Sequence, residues 1–291
     1  MLLATLVAAG RLSQADVDVA SDALRDIGAE PEPGTWLDAG DAYDLPFTGA
    51  AAALPAARAA LELALPSVDV VVQRQTGRRK ALLIADMDST MISCECIDEL
   101  ADYAGLKPQV AAITEAAMAG RLDFTAALDA RVALLAGMDS ALLERCRRER
   151  VRLMPGARSL VATMRAAGAR TVLVSGGFTA FAEPVGAELG FDRVVANRLL
   201  VADGHLTGGV ARPVVDAGTK LAELRASGVA AERVIAVGDG ANDIPMLAAA
   251  GLGIAYHAKP MTVAAAAAAV RNGDLAVLLW AQGWRRADWA A

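Results

Sequence analysis

The stretch KALLIADMDSTMI, residues 80 to 92, decides the fold. Ala81 to Ala85 form an unbroken apolar run, which is typical of a strand buried on both faces of a parallel sheet. Asp86 ends this run and Asp88 follows two positions later. Because side chains alternate along an extended backbone, both carboxylates leave the strand on the same side. Ligands of open parallel sheets bind at the carboxyl ends of strands, so this pattern favours a reaction centre over a polar turn that happens to hold two acids.

Composition indicates an α/β protein with an ample core. The chain has 291 residues, of which 55% are hydrophobic but only 4% aromatic, which suits helices packed on a parallel sheet. The net charge of −6 and the lack of a basic stripe argue against a nucleic-acid partner.

Cellular placement follows from three features of the sequence. Arg58 and Glu62 interrupt the most apolar long stretch, residues 50 to 65, so we expect no membrane span. No basic residue precedes the apolar start, so we expect a first strand there and not a signal peptide. The three cysteines do not form a metal-binding pattern and are interpreted as reduced thiols of a cytoplasmic protein.

Three domains are predicted from the order of patterns. Residues 1–78 are predicted to form a small βαββαβ domain, with strands at 2–8 and 68–72, helices at 13–27 and 51–65, and short strands around Trp36 and Tyr43. Residues 79–93 and 153–291 alternate helix and strand and form the core. Residues 94–152 read as helical throughout and are predicted to be a cap inserted after the first core strand.

Two further core motifs are a Ser-Gly-Gly segment, which resembles a phosphate site, and a hairpin turn. A strand from Ala169 to Val174 runs into Ser175-Gly176-Gly177, followed by a helix from Phe178 to Leu189. Backbone N–H groups in such a turn can approach a phosphate, although an ordinary tight turn explains the pattern equally well. The dipeptide Asp203-Gly204 predicts a β-hairpin, with His205 as an exposed turn residue.

A second acidic strand end completes the pattern. The strand from Val234 to Val237 ends in GDGAND, which supplies Asp239, Asn242 and Asp243. Carboxylates from two neighbouring strand ends would repel one another unless a cation neutralised them, and an all-oxygen ligand set favours Mg²⁺. Lys220 lies at a helix start, where it opposes the helix dipole, and such local misfits mark functional sites.

These groups are the ones that binding and transfer of a phosphoryl group require. Asp86 is the available nucleophile, Asp88 can serve as general acid and base, and Lys220 can hold Asp86 ionised and neutralise phosphoryl oxygens. The chemistry that follows is metal-dependent hydrolysis of a phosphate ester.

The motifs DMDST, SGG, Lys220 and GDGAND, in this order, resemble the haloacid-dehalogenase superfamily of phosphohydrolases. Within it, the chain resembles the phosphoserine phosphatases through TMISCECIDELA, LDFTAALDARV, VSGGF, ANRL and DGANDIPM, which lie between about residue 82 and residue 256. This resemblance implies a Rossmann-like core of parallel strands with helices on both faces, a helical cap, and an ACT-like, ferredoxin-like N-terminal domain.

The resemblance also implies residue roles. Catalysis falls to Asp86, Asp88 and Lys220, with Mg²⁺ held by Asp86, Asp88, Asp239 and Asp243. Glu95 receives the ammonium and Arg131 the carboxylate of O-phospho-L-serine, while Met118 and Phe124 close the pocket. The phosphate is held by Ser175, Gly176 and Asn242 together with Lys220. The implied reaction yields L-serine and phosphate through an aspartyl-phosphate, the last step of L-serine biosynthesis.

Two alternatives stay open. One is a phosphatase or phosphotransferase for another small phosphomonoester, against which the charged pair Glu95 and Arg131 argues. The other is an amino-acid-binding regulatory protein with an inert second domain, against which the intact Asp86, Asp88, Lys220 and Asp239 argue. The sequence leaves the oligomeric state open, with a homodimer as one option, and does not decide whether the N-terminal domain binds serine.

Overall fold

The computed structural model of the protein describes residues 1–49, 54–118 and 121–290. Contacts divide the chain into two compact units. The first unit comprises Met1–Ile84, Pro155–Thr171 and Leu224–Ala291, and the second comprises Ala85–Met154 and Val172–Glu223. The three predicted domain boundaries, after residues 78, 93 and 152, stay a prediction.

The N-terminal part follows the predicted order of elements with one addition. Its elements are β1 (Leu2–Val7), α1 (Gln14–Asp26), β2 (Glu30–Pro31), β3 (Thr35–Asp38), β4 (Ala42–Thr48), α2 (Leu54–Ala64) and β5 (Asp69–Arg74). The two-residue strand β2 was not predicted, because a Glu-Pro dipeptide carries no alternating pattern. The start of the second predicted helix, Ala51 to Ala53, lies outside the described residues.

Local signals in the sequence explain the first helix. Ser13 caps α1 and forms a capping box with Asp16, whose Oδ2 accepts the Ser13 backbone N–H at 2.8 Å. Val17, Ala20 and Leu24 then lie on one buried face of the helix. This face packs into an apolar core with residues of β1, β4 and β5, among them Leu6 and Phe47. Burial of this stripe gives the helix its stability, since an isolated helix of this length is marginal.

The remaining strands of the first unit belong to the core sheet. They are β6 (Leu82–Ala85), β11 (Val234–Gly238), β12 (Leu252–Tyr256) and β13 (Ala268–Val270). The strand order in this part is β2-β4-β1-β5-β13-β12-β11-β6, and the pairs β11–β12 and β12–β13 are parallel. One antiparallel bridge, between Ala269 and Val70, joins β13 to β5, so the N-terminal strands continue the core sheet.

The helices of the first unit in the core sequence are α7 (Ala157–Ala166), α10 (Ile244–Ala249), α11 (Pro260–Ala265) and α12 (Val277–Ala281). Trp280 of α12 is buried, its indole N–H donates to Asp38 Oδ2 at 2.6 Å, and its ring meets Trp289 edge to face. The spacing of the C-terminal tryptophans left their role undecided, and the structure uses these two to pack the C-terminus against the N-terminal strands.

The second unit contains the predicted helical block. Its helices there are α3 (Cys96–Tyr103), α4 (Lys107–Met118), α5 (Phe124–Ala133) and α6 (Ala141–Arg150). The arginines of α6 pair with neighbouring acids, as between Arg147 and Glu144 at 2.7 Å, so this run of basic residues forms a solvated helix face.

The rest of the second unit carries β7 (Arg170–Phe178, which begins in the first unit), α8 (Thr179–Leu189), β8 (Arg193–Asn197), β9 (Leu199–Ala202), β10 (His205–Val210) and α9 (Ala217–Ala226). Strands β7 and β8 are parallel, and β9 and β10 form the predicted hairpin. His205 is exposed at its turn, as expected. Across the described residues, none of the helices combines the length and the apolarity that crossing a bilayer requires.

Candidate active site

A buried ion pair forms the centre of the candidate site. Asp86 follows β6, and its Oδ2 lies 2.8 Å from Nζ of Lys220 in α9. The Lys220 side chain is 0% exposed and that of Asp86 is 7% exposed. The other carboxylate oxygen of Asp86 accepts the backbone N–H of Met87 at 2.7 Å. This arrangement holds Asp86 ionised, because the ammonium and the N–H both favour the carboxylate form.

Asp216 explains how α9 presents Lys220 despite the helix dipole. Its carboxylate accepts the backbone N–H of Thr219 at 2.8 Å and the Thr219 hydroxyl at 3.0 Å. These hydrogen bonds outweigh partial burial and lower the pKa of Asp216. Asp216 thus caps the first turn with negative charge, which offsets the positive end of the helix. Sequence reasoning missed this residue, although an Asp directly before a helix is a recognisable capping signal.

The turn after Asp86 is closed by its own backbone. The carbonyl of Met87 accepts the N–H groups of Thr90, Met91 and Ile92 at 2.8 to 3.2 Å. Ser89 adopts a positive φ of 53° in this turn, and its hydroxyl donates to Glu95 Oε1 at 2.7 Å. The turn therefore orients both Asp88 and Glu95 from one rigid segment.

Asp88 is poised to carry a proton. Burial is the main reason that its pKa rises to about 7, and the charge of Glu95 raises it further, while hydrogen bonding to Cys96 and the charge of Lys220 oppose the rise. Its Oδ1 is buried and has no hydrogen-bond partner among the described residues. A carboxyl group in this state can donate a proton at neutral pH and take it back.

The Ser-Gly-Gly segment differs from the sequence-based prediction in one respect. Strand β7 does not end before Ser175 but continues to Phe178, with an irregular register between these two residues. Ser175 is fully buried, and its Oγ accepts the N–H of Gly177 at 2.9 Å. The pattern of hydroxyl and glycines suggested a turn, but pairing with β8 on one side carries the strand through it.

Close approach explains the two glycines of this segment. A Cβ placed on Gly177 would lie 2.9 Å from Asp88 Oδ2 and 3.0 Å from Ser175 Oγ. A Cβ on Gly176 would lie 3.2 Å from the ring of Phe124, the first residue of α5. The structure therefore brings Asp88, Ser175 and Phe124 to one segment of β7, and side chains at the two glycines would displace them.

Asn197 fixes this segment to the start of α9. It is buried, its amide N–H donates to the Gly176 carbonyl at 2.8 Å, and its Oδ1 accepts the Val215 N–H at 2.7 Å. Sequence reasoning assigned it no role of its own. Its place in the motif ANRL was a signal, but the motif does not say what the side chain contacts.

Glu95 and Arg131 lie in the same unit, on the helical block. Glu95 precedes α3 and does not cap it, since its side chain makes no hydrogen bond to the helix backbone. Arg131, in the last turn of α5, donates Nε–H to the Ala127 carbonyl at 3.2 Å. Burial lowers its pKa, while the charges of Asp98, Glu95 and Asp88 raise it. The guanidinium thus faces several acids but forms no ion pair within 4 Å among the residues the structure describes, which leaves it available to an anion.

The predicted second acidic strand end lies in the first unit. Asp239 follows β11, and Asp239 and Asp243 offer carboxylate oxygens within 4.8 Å of each other. Asp243 is fully buried and accepts the N–H of Gly240 at 3.0 Å. A Cβ on Gly238 would lie 2.4 Å from the Asp243 carboxylate, and one on Gly240 would lie 2.3 Å from Asn242 Oδ1. The glycines of GDGAND thus let two carboxylates and an amide crowd into one short loop.

The structure groups the predicted residues as follows. The second unit contains Asp86, Asp88, Glu95, Phe124, Arg131, Ser175, Gly176 and Lys220, and the first contains Asp239, Asn242 and Asp243. Met118 ends α4, and its side chain lies outside the described part of the chain. The carboxylate and amide oxygens fit a hard divalent cation such as Mg²⁺.

Comparison with known proteins identifies the family. The profile of the haloacid dehalogenase-like hydrolases matches residues 83–248, which span β6, the helical block and the GDGAND loop. The chain belongs to this family of hydrolases. This match confirms the predicted membership of the superfamily. It also confirms the predicted Rossmann-like α/β fold with helices after the first core strand.

Several proteins similar to this hydrolase are phosphoserine phosphatases, a narrower group within the family. It is 44% identical over 235 residues to the phosphoserine phosphatase of Streptomyces coelicolor, covering 79% of this chain and 57% of that protein. It is 46% identical over 207 residues to the phosphoserine phosphatase of a Polaromonas species, covering 68% of this chain and 88% of that protein. The hydrolase thus spans little more than half the length of the Streptomyces relative and most of the Polaromonas one.

A solved structure matches nearly the whole hydrolase. The crystal structure of a probable phosphoserine phosphatase from Vibrio cholerae, in unliganded form, aligns with a TM-score of 0.78 at 33% identity, covering 99% of this chain and 88% of that one. The similarity therefore includes the N-terminal strands and helices as well as the hydrolase core. The ACT-like assignment of these N-terminal elements stays a prediction.

Proposed function

We propose that this hydrolase is a phosphoserine phosphatase that converts O-phospho-L-serine and water to L-serine and phosphate, the last step of L-serine biosynthesis. The observation that carries the proposal is the buried Asp86–Lys220 pair at 2.8 Å, with the proton-carrying Asp88 two residues away. The relatives described as phosphoserine phosphatases support this choice within the family.

The first half of the reaction is transfer to Asp86. A carboxylate oxygen of Asp86 attacks phosphorus, a P–O bond to Asp86 forms, and the P–O bond to the serine oxygen breaks. Protonated Asp88 gives its proton to the departing serine oxygen. Lys220, the Ser175 hydroxyl and the amide of Asn242 neutralise or donate to the phosphoryl oxygens.

The second half regenerates the enzyme. Asp88, now a carboxylate, takes a proton from water as the water oxygen attacks phosphorus and the bond to Asp86 breaks. Inorganic phosphate leaves and Asp88 is again protonated. Each half-reaction thus uses the same proton carrier in opposite directions.

We also propose the metal site. The carboxylates of Asp86, Asp239 and Asp243, supported by Asp88, would hold Mg²⁺, since these are hard oxygen donors. When bound, the cation offsets the negative charge that accumulates between the acids and the phosphoryl group. Without it, the carboxylates of Asp86, Asp239 and Asp243 and a phosphate dianion would repel one another.

Selectivity for phosphoserine rests on two charged residues. Glu95 would bind the substrate ammonium and Arg131 its carboxylate, with Phe124 and Met118 closing the pocket. The hydrogen bond from Ser89 to Glu95 and the lack of an ion pair for Arg131 among the described residues support these assignments. A cytoplasmic location is proposed because the substrate is a metabolic intermediate.

Phosphate release tests the proposal. We expect Mg²⁺-dependent release from O-phospho-L-serine that EDTA abolishes, that Asp86→Asn abolishes, and that exceeds release from a sugar phosphate. Asp203→Asn, in the exposed hairpin turn of the same unit, is the matched control and should retain activity. Arg131→Gln should raise KM for phosphoserine at least tenfold but leave KM for p-nitrophenyl phosphate nearly unchanged. Preference for the sugar phosphate would overturn the roles of Glu95 and Arg131, and no release from any ester would overturn the enzyme assignment.

A further inference from the structure

A large cleft lies at the opposite end of the core strands from the GDGAND loop, within the first unit. We call it the basal cleft. It has a volume of about 1040 Å³ and is bounded by α2, the end of β5, the segment leading into β6, the starts of β11 and β12, and α11. Asp239 follows the other end of the five-residue strand β11, so the length of that strand, about 17 Å, separates the two places.

Three basic side chains that line the basal cleft have no carboxylate partner in the described part of the chain. Arg74, Lys80 and Arg233 form no ion pair within 4 Å among residues 1–49, 54–118 and 121–290. Lys80 is half-buried, and its ammonium donates to the carbonyls of Gly77 at 3.1 Å and Glu232 at 2.9 Å. Carbonyl groups satisfy hydrogen bonds but do not neutralise charge, and an ammonium keeps a third donor. The exposed Glu232 is the acidic residue of the lining that lies near these three cations.

The other two charged residues of the cleft, Arg58 and Glu62, pair with each other. Arg58 pairs with Glu62 at 2.7 Å and also donates to the carbonyls of Val263 and Ala266 at the end of α11. The second carboxylate oxygen of Glu62 accepts from Arg271 at 3.0 Å. This network ties α2 to α11, and because Arg58 and Arg271 share the single carboxylate of Glu62, it leaves no negative charge to oppose Arg74, Lys80 and Arg233.

Apolar side chains complete the lining. Leu54 of α2, Val72 of β5 and Leu252 of β12 all face the cleft. The volume of the cleft, about 1040 Å³, is at the upper limit for sites that bind small organic molecules, and such sites are mostly apolar with a few placed polar groups. An apolar wall facing uncompensated cations selects a molecule with an apolar body and an anionic group.

We propose that the basal cleft is a second ligand site of this protein, for a small organic anion with an apolar body whose carboxylate, sulfonate or phosphate group meets Arg74, Lys80 and Arg233. The site is separate from the proposed catalytic residues, and it stands or falls independently of the proposed activity.

Fluorescence titration with 8-anilinonaphthalene-1-sulfonate tests the proposal on the full chain. This probe joins an apolar body to one sulfonate. We expect one site per chain, and a dissociation constant raised at least tenfold in the double variant Arg74→Gln/Arg233→Gln. The matched double variant Arg11→Gln/Arg285→Gln removes two exposed arginines outside the cleft and should bind as the wild type does.

Two further measurements keep the test decisive. N-phenyl-1-naphthylamine, which has the same apolar body without the sulfonate, should bind more weakly than the sulfonate probe and equally well to both double variants. Ala264→Trp, an exposed position of α11 lining the cleft, should reduce sulfonate binding by filling the apolar part. Thermal unfolding of each variant confirms a folded state, since this probe also binds partly unfolded proteins.

The outcomes that would overturn the proposal are equally specific. Unchanged binding in Arg74→Gln/Arg233→Gln shows that the cations do not hold the anion. Equal affinity for the uncharged probe shows that the site is merely apolar. Displacement of the probe by inorganic phosphate with Mg²⁺, without loss of affinity in the cleft variants, places the probe at the catalytic residues instead.

Discussion

The ammonium of Lys220 lies 2.8 Å from Oδ2 of Asp86, and both side chains are withdrawn from solvent. A buried pair of this kind contributes little net stability when intact, but removing one partner strands a charge. The same contact keeps Asp86 ionised and therefore able to attack phosphorus. One relationship thus affects both folding and the proposed chemistry.

Replacing Lys220 by methionine separates these two effects. We expect Lys220→Met to lower the free energy of unfolding by about 3–5 kcal/mol, because the Asp86 charge loses its buried partner. Loss of the cation should lower kcat by roughly 10²- to 10³-fold. Urea unfolding measures the change in stability, and phosphate release measures the change in kcat. Lys107→Met, at an exposed position, is the control. A stable Lys220→Met enzyme with normal kcat would contradict both roles of the pair.

Asp88→Asn tests the proton carrier through the leaving group. With phosphoserine, whose alkoxide needs a proton to leave, we expect kcat to fall by about 10²- to 10⁴-fold. With p-nitrophenyl phosphate, whose leaving group needs no proton, transfer to Asp86 should persist while hydrolysis of the aspartyl-phosphate slows. Rapid mixing should therefore show a burst of p-nitrophenol equal to one per active site, followed by slow turnover. Equal losses with both esters and no burst would show that Asp88 does not act as the acid.

Gly177→Ala tests the close approach of β7 to Asp88. The added methyl would lie 2.9 Å from Asp88 Oδ2, so the carboxyl must move. We expect kcat to fall at least tenfold. The free energy of unfolding should fall by about 1–3 kcal/mol, as it does when a methyl group is added to other closely packed sites. The control is Gly209→Ala, whose methyl would meet the flexible end of Leu200 at 3.3 Å. Full activity in Gly177→Ala would mean that the position of Asp88 is not critical.

Glu62 makes part of the stability of the protein sensitive to acid. Burial acts to raise the pKa of Glu62, but hydrogen bonds and charges from Arg271 and Arg58 outweigh it, and the net pKa is lowered from 4.5. Because the folded pKa lies below the unfolded one, this contribution is fully present above pH 4.5 and is lost as pH falls through the folded pKa. The difference in unfolding free energy between the wild type and Glu62→Gln, about 1–3 kcal/mol at pH 7, should therefore shrink in urea titrations below pH 4.5. The exposed Glu115→Gln should show no such dependence. A difference that is constant from pH 7 to pH 3 would contradict this account.

Much of the architecture was predictable because its signals are local. The apolar runs ending in Asp86 and Asp239, the helical block between Cys96 and Arg150, and the hairpin at Asp203-Gly204 all follow from periodicity and turn chemistry over a few residues. Strand β2 and the extension of β7 through Ser175 escaped prediction, because pairing with a distant strand overrides weak or contrary local preference.

The features of the candidate site can be separated in the same way, into those that follow from local sequence and those that depend on distant residues. The sequence by itself determined which residue types follow which strands, and hence the candidate nucleophile, acid, lysine and metal ligands. Only the tertiary structure decided that one buried oxygen of Asp88 has no partner among the described residues and that Gly177 makes room for this side chain. It also decided that Asp216 and Asn197 hold the neighbouring segments. The reason is physical: the identity of a side chain is written in the chain, but its burial, pKa and steric clearance depend on atoms contributed by residues far away in sequence.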